Sequence, residues 1–450
     1  MSGYTEYREI NLPWLKVVPA HWEIRRNKNI FTEQKEIVGE KSADYTLLSL
    51  TLNGIVPRDM DGGGKFPESF DKYKVVRAGD MAFCLFDIDE TPRTVGLSAY
   101  DGMLTGAYTI MHVSNINPRY IYYYYLALDN GKMLRPLYTG LRKTININTF
   151  QGTKVPVPPH EEQDQIVRFL DWKVSSINKL INIKRKEIKE LDALKRSMVN
   201  HAVTQGLNPN APMKYSGVKW LGNIPAHWNT MPLYAVGREK NIVNCENMPL
   251  MSVYLDTGVV PFAEREEKRT NATSKDLTNY QRIDFGDFVL NNQQAWRGSV
   301  GVSFFTGIVS PAYIVLSLND ELDSYYANYM LRSRCMVDQY LVISRGVGSI
   351  QRNIYWSALK RVVLPVPPKE EQKRIYECLN NASHKFDKAI EKLTDEISVL
   401  EECKSKLIAD TVTGKIDVRG IEIPEYEFVD EVVDADAEDD GEEATGEQED

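Results

Sequence analysis

LNNQQAWRGSVG, beginning at Leu290, places the amides Asn291, Asn292, Gln293 and Gln294 in succession, followed by Trp296 and Arg297. An amide side chain matches the donor and acceptor of adenine, and an arginine matches the two acceptors of guanine, so the run suits the edges of DNA bases. FDIDETPRTVG, beginning at Phe86, holds a comparable position earlier in the chain and offers Arg93 and Thr94. A second pair of runs joins glycine to cations. TGLRKTININTF carries Arg142, Lys143, Thr144 and Asn146, and SRGVGSIQRNIYW carries Arg345, Ser349, Gln351 and Arg352. Glycine lets backbone amides approach a phosphate while the cations neutralise it. Lys65, behind the three glycines of DGGGKF, is a weaker candidate at a loop tip and lacks the spacing of a phosphate-binding loop. Surface turns use the same residue types, so both readings stay open on these residues alone.

Catalytic chemistry finds less support. The sequence VPP occurs twice without the preceding Asn or Asp that a DNA amino-methyltransferase needs, and no G-x-x-x-x-G-K-[ST] run is present for ATP hydrolysis. Six histidines form no H-E-x-x-H pattern, and His21 and His227 sit in matching PAHW runs where a structural role beside the tryptophan is expected. The run EREEK from Glu264 can be forced into a nuclease-like cluster, as can many charged loops. Five scattered cysteines, Cys84, Cys245, Cys335, Cys378 and Cys403, never form C-x-x-C and read as reduced.

The elements that must hold these runs are written twice. WLKVVPAHW from Trp14 returns as WLGNIPAHW from Trp220, and VPVPPHEEQDQI from Val155 returns as LPVPPKEEQKRI from Leu364. Between them the Gly-Asp pairs at 79–80 and 286–287, TVG and SVG at 94–96 and 299–301, and Ala-Tyr at 107–108 and 312–313 keep the same order. The offsets drift only between 203 and 209 residues, which fits one duplicated unit with small loop insertions. Each Pro-rich mark introduces a helical pattern. Apolar residues fall at Ile166, Phe169, Leu170, Ile177, Leu180, Ile181, Ile188, Leu191, Leu194 and Met198, and again from Ile375 to Leu407. The narrow stripes predict two helices of about 60 Å, packed on each other as an antiparallel coiled coil. Before each helix, short β-rich runs such as DMAFCLF and GDFVLNN alternate with turns, and helices are expected at 120–128 and 325–331. Tyr122 to Tyr125 are expected to pack against the sheet rather than stack on bases.

A net charge of −9 argues against a nucleic-acid binder only until its location is considered. Glu425 to Asp450 contains 14 acidic residues and no Lys or Arg, so the first 424 residues carry +5. That composition predicts a disordered, solubilising tail on a mildly basic body. With 42% hydrophobic residues there is ample material for more than one core, no run is long and apolar enough for a membrane span, and a cytoplasmic location is expected.

Two α+β units, each opened by the PAHW mark and closed by P-V-P-P-x-E-E-Q before a long helix, resemble the specificity subunit of a type I restriction-modification system over about residues 10–420. The acidic tail departs from that pattern. The resemblance implies two target recognition domains of mixed and antiparallel β-structure with helices, at 1–157 and 213–366. Spacer helices would occupy 158–212 and 367–420, in a pseudo-twofold duplication, ahead of a disordered tail at 421–450. It implies double-stranded DNA with a bipartite target, and a pair of methylation subunits and restriction/translocase subunits as partners. S-adenosylmethionine would be bound by the methylation subunits and ATP with Mg by the restriction subunits, and no cofactor by this chain. A coiled-coil adaptor that binds only protein is the alternative, although it leaves the amide- and arginine-rich loops unexplained.

Overall fold

The computed structural model describes residues 3–52, 54–58, 69–138, 143–264, 276–347 and 351–432. Lys65, Arg142 and Ser349 lie outside them. The chain divides into two compact units, one made of Met1–Lys186 with Leu393–Asp450 and the other of Glu187–Lys392. Both divisions fall inside the long helices His160–Gln205 and Lys369–Val412.

The first unit is built on a four-stranded antiparallel sheet in the order Phe31–Gln34, Thr109–Val113, Met81–Phe83, Val95–Leu97. A hairpin of Leu48–Thr51 and Gly54–Pro57 and a pair of Lys74–Val76 with Gly102–Leu104 complete the β-structure around it. The helix Pro118–Asn130 covers the sheet, capped by the Asn117 side chain and with proline in its first turn. Its tyrosines are core residues, as expected. Tyr120, Tyr123, Tyr124 and Tyr125 are buried, and Phe31, Phe83, Tyr125 and Phe150 form one edge-to-face and tilted aromatic group. Burial raises the phenols of Tyr120, Tyr123 and Tyr125 well above the ordinary tyrosine range.

The second unit repeats this plan. Its sheet runs Gly237–Glu239, Tyr313–Leu318, Asp287–Asn291, Val300–Val302, with a hairpin of Met251–Tyr254 and Gly258–Pro261 and a pair of Gln281–Ile283 with Gly307–Val309. The helix Ser324–Arg332, capped by Asp323, lies where Pro118–Asn130 lies in the first unit, and a further helix, Arg334–Ile343, follows it.

The marks shared by the two halves are the places where this frame is pinned. Gly79 and Gly286 take φ of 92° and 88°, a conformation that a side chain disfavours. The next residue closes each turn: Asp80 accepts the Arg77 amide at 3.0 Å, and Asp287 accepts the Asp284 amide at 2.8 Å. At Gly96 a Cβ would stand 2.6 Å from Leu50 and 2.7 Å from Ile55, so the hairpin needs a bare backbone beneath it. Both Pro-rich marks serve as anchors as well as helix starts. In the first, the Glu162 carboxylate accepts the indole N–H of Trp22 at 2.8 Å and the hydroxyl of Tyr4 at 2.6 Å, with His21 Nε2 at 2.7 Å. In the second, Glu371 accepts the Trp228 indole at 3.0 Å, with His227 Nε2 at 2.6 Å. Gln163 donates to the Pro158 carbonyl and accepts the Asn117 amide, both at 2.8 Å. Gln372 repeats this with Pro367 at 2.9 Å and Asp323 at 2.8 Å. The acid therefore holds the PAHW tryptophan, and the glutamine ties the long helix to the start of the sheet-covering helix.

Each core takes in the beginning of one long helix and the end of the other. Ile166, Phe169 and Leu170 join Ile408 and Val412 in the first unit, while Ala202 and Val203 join Ile375 and Leu379 in the second. Within the first unit Lys404 reaches Asn178 at 3.2 Å and Lys184 pairs with Glu396, so the two segments run in opposite directions. In the second unit Lys195 pairs with Asp387. Leu180 and Leu194, counted in the apolar stripe, are exposed instead: the burial is concentrated where the helix ends enter the cores. Residues 425–432 also differ from expectation. They lie extended along the first long helix with their backbone hydrogen-bonded to it, because that helix offers matching polar side chains. Among the described residues no helix is long and apolar enough to cross a membrane, and no group of three or more His, Cys, Asp or Glu is placed to hold a metal ion.

Candidate nucleic-acid interface

Both units bring together the two kinds of polar run identified in the sequence, and they do so at equivalent positions. In the second unit, the turn after strand Asp287–Asn291 is joined to the end of the glycine- and arginine-bearing hairpin by the Ile354 amide, which donates to the Asn292 carbonyl at 3.0 Å. In the first unit the Ile145 amide donates to the Leu85 carbonyl at 2.7 Å, and Phe86 bridges to Thr144. The frame is shared, and the side chains presented on it are different.

On the second unit these side chains form a cationic and aromatic cluster. Trp296 is fixed by its indole N–H, which donates to the Gln293 carbonyl at 2.9 Å. The Arg297 guanidinium lies 4.7 Å from the centre of that ring and the Arg352 guanidinium 5.7 Å from it, within the range of cation–π attraction. Gly298, at φ 112°, turns the chain back into the next strand. Arg345 is exposed on strand Arg345–Val347, paired with Asn353 of Gln351–Asn353. Only the backbone of Gln351 is described. Arg352 also donates to Ser344 at 3.3 Å, yet its Nε, like Asn292 Oδ1, is buried without a partner among the described residues. Gln293 is exposed and Gln294 half-buried. Beside Asn292 lies an open hollow of about 650 Å³, lined also by Asn241, Asn279, Tyr355 and Trp356. Tyr355, which is exposed, and Trp356 end the run that contains Arg352, and their aromatic type is the only local sign that they line this hollow.

The first unit places its candidates differently. Thr94 is buried: its hydroxyl and amide are both bound to the Asp129 carboxylate, at 2.6 and 3.1 Å. Arg93 bonds Asp129 at 3.0 Å and Asn130 at 2.9 Å, and Lys132 completes the group at 2.9 Å. The sequence could not display this, because Asp129 lies on the covering helix 35 residues away. Arg93 and Thr94 neutralise and hold a buried carboxylate, so neither faces solvent as a free reader. Lys143 is exposed, in a left-handed conformation at φ 48°, and pairs with Glu90 at 3.2 Å. Asn146 is exposed but caps helix Ile147–Gly152 through the Asn148 amide at 2.8 Å. Thr144 is half-buried at the bridge to Phe86. The run 86–96 supplies acids to nearby cations, Asp89 to Arg135 and Glu90 to Lys143, whereas the turn at 291–298 contains no acid.

Comparison with known proteins relates the chain to one family. The profile of the family described as Type I restriction modification DNA specificity domain matches residues 88–192 and 228–401. A chain of Methanocaldococcus jannaschii, provisionally named the specificity subunit of type I restriction enzyme MjaX, is 26% identical over 448 residues, covering 92% of this chain and 98% of its own. The type I restriction enzyme MjaVIII specificity subunit of the same organism is 26% identical over 291 residues, covering 60% of this chain and 64% of its own. A chain solved in a study of complex assembly and conformational transition of the type I R-M system is similar in fold, with TM-score 0.59 and 15% identity over 89% of this chain and 99% of that one.

Proposed function

From the premise that this chain belongs to the family of type I restriction-modification DNA specificity proteins, we propose that it is the sequence-specific DNA recognition subunit of such a complex. In this reading each unit reads one half of a bipartite target. The observation that carries it is the pair of equivalent loop junctions, Asn292 with Ile354 and Leu85 with Ile145, which present different side chains on one frame. Two readers built alike but furnished differently suit a target whose halves are unrelated in sequence.

The recognition domains are assigned to 1–157 and 213–366, and the helical segments 158–212 and 367–420 act as an antiparallel coiled-coil spacer. Such a spacer would hold two half-sites on one face of the duplex, about 34–36 Å apart or a multiple of this. Arg297, Arg345, Arg352, Asn292, Gln293 and Gln294 are the readers in the second domain, with Lys65, Arg142, Lys143 and Asn146 in the first. The chain itself is non-catalytic. Paired methylation subunits carry S-adenosylmethionine, and restriction subunits carry ATP and Mg and drive translocation. The test is methylation mapping of DNA from cells that express this chain with a matching methylation subunit. A new motif with two short specified halves around an unspecified gap is expected. A stable complex that methylates no such motif would overturn the reading and favour a protein-only adaptor.

A further inference from the structure

The first long helix carries a row of polar residues that the second long helix meets only in part, through Lys404 on Asn178 at 3.2 Å and Glu401 on Arg185 at 3.1 Å. Ser175, Asn178, Asn182 and Arg185 are spaced by three, four and three, so they share one face. All four also bind the extended segment beyond the second helix, and among the described residues Ser175 and Asn182 hydrogen-bond to it and not to that helix. Ser175 Oγ donates to the Glu427 carbonyl at 2.9 Å and accepts the Val429 amide at 2.7 Å. Asn178 donates to the Val429 carbonyl at 3.1 Å. Asn182 donates to the Asp430 carbonyl and accepts the Val432 amide, both at 2.9 Å. Arg185 donates to the Val432 carbonyl and to the Glu431 carboxylate, each at 2.6 Å. Lys404, from the second long helix, holds the other oxygen of Glu431.

These contacts divide by what they read. Those from Ser175, Asn178 and Asn182 meet backbone atoms and so recognise an extended chain of any sequence. Two others read side chains. Glu431 sits between two cations on different helices, and Phe428 lies beneath the Arg119 guanidinium at 5.6 Å. Serine and asparagine are weak helix formers, so their placement in mid-helix disfavours the helix locally unless a ligand uses their polar groups. With the segment in place Ser175 is 2% and Asn178 6% exposed, a burial the segment itself helps to provide.

We infer that this helix face is a docking groove for an extended acidic peptide bearing an aromatic residue and a glutamate three positions apart, and that residues 427–432 are its resident ligand. The groove is separate from the DNA-reading loops, and its existence does not depend on that reading. Because the ligand is tethered, at an effective concentration of roughly millimolar, a free peptide of the same chemistry enters only when the resident is weakened.

Two measurements on the full chain test this. Hydrogen exchange should find the Val429 and Val432 amides protected in the native chain and released in Asn182→Ala and Arg185→Ala; exchange at free-peptide rates in the native chain overturns the inference. A fluorescent peptide of residues 424–432 should bind the Phe428→Ala/Glu431→Lys variant at least tenfold more tightly than the native chain. Adding Arg185→Glu to that variant should abolish the binding. Equal binding to all three chains, or to none of them, would mean that the segment is merely packed there and that no groove exists.

Discussion

Asp129 illustrates what a buried carboxylate does in this chain. Asp129 receives Thr94, Arg93 and Lys132, so Asp129→Ala would remove the acceptor they share, leaving Arg93 with Asn130 and Lys132 with the Thr91 carbonyl. A hydrogen bond to a charged group contributes about 1.5–3 kcal/mol, and since both cations are partly exposed and keep other acceptors, urea unfolding should report a loss of that order. Arg297 belongs to a different case, because it is exposed over Trp296 and holds no buried partner. Arg297→Ala should leave stability within about 0.5 kcal/mol of the native value. In the assembled complex it should weaken binding by about 1–3 kcal/mol for targets altered outside the half-site it reads, while preference at the other half-site persists. Equal weakening on every DNA sequence would identify a phosphate contact. The Glu431 carboxyl is pulled two ways: burial raises its pKa, but hydrogen bonds and charge from Lys404 and Arg185 prevail and hold it below the ordinary glutamate range. A depressed carboxyl stabilises the docked segment above its unfolded value, about 4.3, and that contribution is lost as the pH falls through the lower docked value. Protection of the Val432 amide should therefore be constant from pH 7 to about 5 and decline in more acid solution.

At the scale of elements, the repeated marks turn out to be joints. The sequence already paired the PAHW and PVPP marks by spacing, and identified the long helices, the tyrosine-rich helix and the sheet strands by period and composition. It did not reveal that Glu162 and Glu371 grip the tryptophans, since each contact joins residues about 140 apart. The candidate interface was legible in part. The amide run and the arginine hairpin do meet around Trp296, whereas Arg93 and Thr94 turn inward to a carboxylate that no local pattern announces. Tail residues 425–432 misled for a related reason: their composition predicts disorder in isolation, and the polar row that orders them is on another element. The turn glycines offer a test at this scale. Gly79→Ala and Gly286→Ala force a side chain into a left-handed turn, at about 1–2 kcal/mol each. Denaturant midpoints should fall for both, and further for Gly286→Ala, whose Cβ would stand 2.9 Å from Ser324 Oγ while that at Gly79 would meet open space.

For the whole molecule, the duplicated frame and the unequal furnishing of its loops make a prediction about specificity. Exchanging only the turn 291–298 and the hairpin 345–353 for those of a relative should alter one half of the methylated motif and leave the other half unchanged. A change in both halves would show that the two readers are not independent.

The division of the chain into its units also orders its synthesis. The second unit is one continuous stretch, Glu187–Lys392, whereas the first needs Ile408, Val412 and Val418 to close the core begun by its earliest residues. At about 5–20 residues per second, the ribosome would take roughly 10–45 s to travel from residue 187 to residue 412. The half made first is thus the last to be finished, and it must wait with part of its apolar surface uncovered while the later half folds. A ribosome that stops early would release a complete second unit attached to an unclosed first one, a product that holdase chaperones and proteases can distinguish from the finished chain.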